Sequence, residues 1–381
     1  MTEFFIYETL TWPQVADLPR HLPLVIPLGG GYPLDRLASA LGDPPRVGLL
    51  PTIPFGWPES GLSVVDRTLV EMVANLLASL RDDGFSQVWA LIPQGLNWGT
   101  RGGMQGGAFS FIALPVKRPA SRPLPPDSER DKAILIPVGH TEQHGYHLPL
   151  STDTLIVEAI AEGVVQAAPQ LATRLPVMPY GVSTHRGAFA GTLNTGGRTF
   201  EDFWLSVIDN LVSRGFDRFY FISGHGGNCS FLTNVVKYAG ERHPWVFCAT
   251  SWLYLSGPKG IAALQARRRS AIGGMGHAGE LETSLMLHLH PELVHLDKVV
   301  DEIDFISTPS YYMDWVEGGA LIANPPWEDD TRTGAYGAGS LADAGNGKFW
   351  LEAAIAEKVE HVAEIHEQQH RRLARRDTKP G

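Results

Sequence analysis

Short apolar runs punctuate this chain, each closed by glycine and followed by a longer stretch of mixed polarity. Ala133-Ile-Leu-Ile-Pro-Val-Gly139 is β-rich and too short for a core helix, so it predicts a buried strand. Asp217-Arg-Phe-Tyr-Phe-Ile-Ser223 predicts a second strand, running straight into Gly224. Glu280-Leu-Glu282-Thr-Ser284 puts carboxylates before the apolar run Leu285-Met-Leu-His-Leu289, the signature of a helix first turn. Leu351 to Arg372 reads as a long polar helix with a basic end.

The N-terminal third repeats this pattern. Leu24-Val-Ile-Pro27-Leu-Gly29 echoes Leu135-Ile-Pro137-Val-Gly139, and Leu50-Pro51-Thr-Ile-Pro54-Phe-Gly56 echoes Leu175-Pro176-Val-Met-Pro179-Tyr-Gly181. The stretch from Thr68 to Gly84-Phe85 and Ile92 echoes Thr199 to Gly215-Phe216 and Ile222. Order and approximate spacing agree, so residues 1–115 are expected to be a degenerate copy of a core that recurs in residues 132–345. A proline-rich, charged linker, 116–131, is expected to run extended between them. Residues 346–381 form the C-terminal helix and basic tail.

Candidate chemistry sits beside the strands of the second copy. Glu142, His144 and Asp153 fall within twelve residues, after the first predicted strand, where ligands bind in open α/β sheets. Mixed carboxylate and imidazole donors suit Zn(II), Mn(II) or Fe(II); the alternative is a polar loop with incidental His and acids. His225 is flanked by Gly224, Gly226 and Gly227, which let backbone approach closely. In the first copy Gly30-Gly31-Tyr32-Pro33 stands where Glu142 and His144 should be matched, and Gln94 stands for His225. No metal is expected there.

Three motifs in order, Gly139-His-Thr-Glu142-Gln-His144-Gly-Tyr-His-Leu-Pro-Leu-Ser-Thr-Asp153, Gly224-His225-Gly-Gly-Asn228 and His277-Ala-Gly-Glu280-Leu-Glu282-Thr-Ser284, resemble the creatininase family of metal-dependent amidohydrolases. Met178-Pro-Tyr-Gly181 and Ala190-Gly-Thr192 add to the resemblance, which covers roughly residues 130–300. It implies an α/β fold with a central, mostly parallel sheet flanked by helices. It also implies two divalent ions (Zn, Mn or Fe). Glu142, Asp153 and His225 would hold one, and His144 with the shared Asp153 the other. His277 would carry the proton to the leaving group, or would be a helix-capping histidine. Creatinine-cleaving members place a further Glu two residues after the motif histidine. Gly227 stands there, and Glu280 is the expected replacement, unless it is only a helix N-terminal carboxylate.

The same resemblance frames the substrate as a small molecule. Ser183, His185 and Arg186 lie on a loop expected to border the pocket, where Arg186 pairs with a substrate anion or is a solvated charge. Trp252 lines the pocket wall or belongs to the core. Gly273-Gly-Met-Gly276 carries no tryptophan and Gly226 replaces a tyrosine, so a substrate larger than creatinine or differently shaped is expected: a formamide, lactam or peptide-like amide. An ester, or a non-catalytic scaffold, is the alternative. Family members are commonly hexamers, so a homo-oligomer is expected, as a trimer of two-copy chains or a hexamer.

Composition narrows the partners. The 381-residue chain carries a formal charge of −10, which disfavours nucleic acid and anionic membrane. No run of eighteen apolar residues suggests a membrane span, and the N-terminus has no basic region like that of a secretory signal. Cys229 and Cys248 do not make a disulfide framework. A cytoplasmic location is expected.

Overall fold

The computed structural model of the protein describes residues 1–96, 110–116, 123–184 and 188–377. In chain order its elements are β1 (Glu3–Ile6), α1 (Trp12–Ala16), β2 (Leu24–Pro27), α2 (Leu34–Ala40), β3 (Arg46–Leu49), α3 (Asp66–Asp82), β4 (Val88–Pro93) and β5 (Phe111–Leu114). The second half continues with β6 (Ala133–Val138), α4 (Thr152–Ala167), β7 (Ala172–Arg174), α5 (Gly197–Ser213), β8 (Arg218–Ser223), α6 (Asn228–Arg242), β9 (Phe247–Thr250), α7 (Pro258–Arg267), α8 (Glu280–Leu289) and α9 (Ala344–Asp377).

The strands form two separate parallel sheets, one in each half, with orders β1-β3-β2-β4-β5 and β7-β6-β8-β9. Helices cover both, which is why β2 and β6 are buried along their whole length. This is the expected α/β architecture, divided between two sheets. α3 of the first half packs on α5 of the second, and one apolar cluster runs through both, from Leu24 and Leu76 to Trp204 and Phe221.

Two organisational details depart from expectation. Residues 123–131 are tied down instead of extended. The Arg214 guanidinium takes the carbonyls of Leu124 and Pro125 and the Asp127 carboxylate, and Asp127–Glu129 forms a 3-10 turn. The linker residues 117–122 and the tail residues 378–381 lie outside the described residues. The C-terminal helix begins at Ala344 and is longer than its apolar pattern suggests. It packs on α4, α7 and α8, burying Trp350, Ala354 and Val362. Among the described residues no helix is long and apolar enough to cross a membrane.

Candidate metal centre

Three carboxylates and four imidazoles converge at the C-terminal ends of β6 and β8. His140, Glu142 and His144 come from the loop after β6, and Asp153 from the first turn of α4. His225 follows β8, while His277 and Glu282 come from the start of α8 and the loop before it. All are buried. His225 Nδ1 lies 2.9 Å from Glu142 Oε1 and 3.4 Å from Asp153 Oδ2. His144 Nε2 lies 3.1 Å from Asp153 Oδ1 and 4.0 Å from Glu282 Oε2. His277 Nδ1 lies 3.5 Å from Glu142 Oε1. Asp153 therefore faces both histidines with different oxygens, as a shared ligand must.

The close approaches demanded of the backbone explain the glycines. At Gly224 a Cβ would come 2.2 Å from the Asp153 carbonyl oxygen, and at Gly227 it would come 2.3 Å from His225 Nε2. Any side chain at 224 would push the ligand loop away from β8.

Backbone partners assign the imidazole protons. A carbonyl only accepts, so His144 Nδ1 donates to Glu142 O (3.0 Å), His225 Nε2 to Val182 O (3.0 Å) and His277 Nε2 to Gln143 O (2.7 Å). Their other nitrogens, all turned towards the carboxylates, are left as lone pairs in the neutral rings. An N–H only donates, so His140 Nδ1 accepts from Gly181 N (2.9 Å) and its proton sits on Nε2. His140 is near enough to count as a ligand, with Nε2 4.0 Å from Glu142 Oε2. The tautomer puts a proton instead of a lone pair on that nitrogen, which has no hydrogen-bond partner among the described residues. The carbonyl contacts of the other three rings fix the orientation of candidate metal ligands.

The electrostatics call for cations between these groups. Burial alone would depress His144, but the Asp153 carboxylate overrides it and lifts the imidazole to about 9. His225 rises well above the ordinary range, because Glu142 and Asp153 outweigh its burial. Burial works to raise Glu142, yet His225 and His277 hold it well below the usual carboxylate range. Asp153 is also lowered, against its burial, by His144. Glu282 is pushed up to about 7 by burial and the neighbouring Asp153. Burial and the charge on His144 bring His277 down to about 3. Among the described residues, no aligned hydrogen-bond donor reaches buried Glu142 Oε1 or Asp153 Oδ2. The raised imidazoles mark places where the carboxylates hold positive charge; a divalent metal taking the place of those protons would find nitrogen donors and the orphaned carboxylate oxygens together. The possible ligand triplets include His144, Asp153 and Glu282, with donor atoms all within 4.8 Å of one another.

Glu280, expected as the fifth ligand, is not in the cluster. Its carboxylate takes the backbone N–H groups of Arg269 (2.9 and 3.1 Å) and Ser270 (2.8 Å). Two residues along a helix is a rotation of about 200°. Both acids cannot face the centre, and Glu282 does. The first-turn pattern was legible in the sequence; the phase of the turn was not.

A cavity of about 570 Å³ opens over the cluster. Trp252, half-exposed, lines it together with Thr184, Phe231, Met313, Trp315, Asn324 and Trp327. Met313, Trp315 and Trp327 went unnoticed in the sequence, because the segment that carries them has no periodicity. Asp314 anchors that segment, accepting from Gly273 N (2.7 Å) and pairing with Arg268 at 2.7 Å. Ser183 is buried outside the lining, and its hydroxyl has no hydrogen-bond partner among the described residues. It belongs to the stretch whose Val182 carbonyl orients His225. His185 and Arg186 lie outside the described residues.

The fold and the cluster define a class: an α/β protein with a buried carboxylate–imidazole centre suited to divalent metal. Residues 124–362 match the family model for creatininase, creatinine amidohydrolase, and the chain belongs to that family. It is 36% identical over 174 residues to the mycofactocin precursor peptide peptidase of Mycolicibacterium smegmatis, covering 44% of this chain and 62% of that protein. It is 30% identical over 187 residues to the creatinine amidohydrolase of Pseudomonas putida, covering 45% and 69%. A 3-dehydro-scyllo-inosose hydrolase of Thermotoga maritima is 28% identical over 253 residues, covering 61% and 78%. Among solved structures, a creatininase mutant complexed with creatine superposes with a TM-score of 0.51 at 25% identity, covering 63% of this chain and 94% of that one. A manganese creatininase gives a TM-score of 0.50 at 24% identity, which establishes the fold.

Proposed function

We propose that this chain is a binuclear metal-dependent amidohydrolase that cleaves a formamide, lactam or other non-standard amide of a small molecule. One observation carries the reading: Asp153 is shared between two clusters of buried donors, Glu142 with His225 and His144 with Glu282. Glu142, Asp153 and His225 would hold one ion; His144, Asp153 and Glu282 would hold the other. When bound, such a pair lowers the pKa of a coordinated water towards neutrality and polarises a carbonyl.

The chain's own residues supply the rest. His277, fixed through Nε2 on the Gln143 carbonyl, holds its lone pair at Nδ1 beside Glu142 on the cavity wall. That nitrogen can relay the proton released on attack to the departing amine; held down at about 3, it is a weak acceptor and a strong donor in that relay. Trp252, Trp315 and Trp327 keep the cavity apolar and exclude water from the substrate's flanks. The same attack serves an ester, so bond type is a matter for the substrate panel.

The relatives support a hydrolase and leave the bond open. They are named for a precursor peptide, for creatinine and for an inosose. The test is hydrolysis of formamides, lactams and esters by protein loaded in turn with Zn(II), Mn(II) and Fe(II). Turnover that chelation abolishes and metal restores supports the reading. A loaded protein inert towards all three groups would move the chain to a non-catalytic role.

A further inference from the structure

We infer that the N-terminal unit is a built-in subunit: a metal-free copy of the catalytic core, docked through an isologous face, that braces the catalytic ligand loop. The observations begin with the backbone, where sequence drift matters least. Gly29 N donates to Ile53 O at 2.9 Å, and Gly139 N to Met178 O at 2.9 Å. Ile53 N donates to Pro27 O (2.9 Å), and Met178 N to Pro137 O (3.1 Å). Leu50 N reaches Val25 O as Leu175 N reaches Leu135 O. Strand order agrees as well, β3-β2-β4-β5 against β7-β6-β8-β9. α3 and α5 are each 17 residues, 66 answering to 197 and 82 to 213. Both end in a left-handed glycine, Gly84 (φ 95°) and Gly215 (φ 93°). Phe85 and Phe216 then close each turn with the same 3.1 Å bond.

Chance likeness of two α/β units would not dictate how they touch. Here the contacts are reciprocal. Ser79 Oγ accepts from Asn194 N at 3.1 Å. The counterpart of Ser79 is Asn210 and that of Asn194 is Ser63, and Asn210 Nδ2 donates to Ser63 O at 3.1 Å. Ser206 Oγ accepts from Val65 N at 2.9 Å. Its counterpart Asn75 donates to Thr195 O at 2.7 Å, one residue from the counterpart of Val65. Residue i touching j, with the mate of i touching the mate of j, is the definition of a twofold interface between like subunits. The partner this face fits is a second copy of the same core.

The docked unit also reaches the centre's support. Leu150 N donates to Leu10 O at 2.9 Å and Ser151 N to Glu8 O at 3.1 Å. Leu150 O in turn accepts from Glu142 N at 3.2 Å. Trp12 packs on Tyr146 at 5.5 Å and bonds Thr333 O at 2.7 Å. The loop from Glu142 to Asp153 is thus held from outside by residues 8–12.

A protease site inserted within residues 117–122 tests the docking in the whole folded protein. After cleavage is complete on a denaturing gel, the two fragments should remain a one-to-one complex in native mass spectrometry and melt in one transition. Separation of the fragments overturns the inference. The brace rests on the proposed centre and is read separately. Trp12→Ala should lose bound Zn(II) to a chelator about tenfold faster than the parent chain, with Trp12→Phe restoring most of the difference. Equal rates for Trp12→Ala and the parent overturn the brace. A parent chain that binds no Zn(II) overturns brace and centre together, leaving the cleavage result to decide the docking.

Discussion

β8 and β4 run into opposite chemistry from the same scaffold. β8 leads into His225, whose ring faces two carboxylates at 2.9 and 3.4 Å. β4 leads into Gln94, at the matching position. The loop after β6 runs from Gly139 to Ser151 before α4 begins, while the one after β2 runs only from Leu28 to Pro33 before α2. The second half therefore has chain to spare for Glu142 and His144, and the first has none. Strand registers are fixed by backbone bonds that any apolar residue satisfies. Metal chemistry depends on a few loop side chains, and loops tolerate shortening.

The comparison can be broken at its strongest point. Asp153→Asn removes the shared carboxylate and should cut kcat/KM by on the order of 10³ or more, with loss of metal. Retained turnover in a kinetic assay would contradict a shared ligand. His277→Ala should keep the metal and lose about 10²–10⁴ in kcat. If metal analysis and steady-state kinetics find both unchanged, His277 has no role in proton transfer.

The two acids of α8 sharpen it further. Glu282→Gln should weaken one ion by more than the roughly 10–100-fold that orienting partners are worth. Glu280→Gln should leave metal affinity alone and cost about 1–3 kcal/mol of stability, because an amide NH₂ then opposes a backbone N–H. Isothermal titration and denaturant unfolding separate the two; the reverse pattern would restore Glu280 as a ligand.

The smallest effect is in the metal-stripped protein. His144 sits at about 9 when folded, above its ordinary value. Its contribution to stability is complete below the unfolded value and is lost as pH rises through 9. His225 acts in the same direction. Thermal scans should show the stripped protein losing stability between pH 7 and 9, while metal, standing in for those protons, flattens the dependence. Equal slopes for both forms would mean the imidazoles are not metal ligands.

Much of this was legible in the chain. Ala133–Val138 and Arg218–Ser223 announced themselves as short apolar runs closed by glycine, and the candidate ligands followed directly. Glu282 stands in the same motif as Glu280, and choosing between the two needs the angle at which α8 enters the site. The tautomers that separate His140 from the other three histidines depend on Gly181 N, Glu142 O, Val182 O and Gln143 O, which no side-chain pattern reports. Trp315 and Trp327 reach the cavity from an irregular segment, held by the Asp314–Arg268 pair.

The contrast between the halves reduces to a count. Metal per chain, measured by plasma mass spectrometry on protein purified without chelator and then supplied with Zn(II), Mn(II) or Fe(II), should come close to two, all lost in Asp153→Asn. None would remove the centre. Close to four would mean that the N-terminal half holds metal after all.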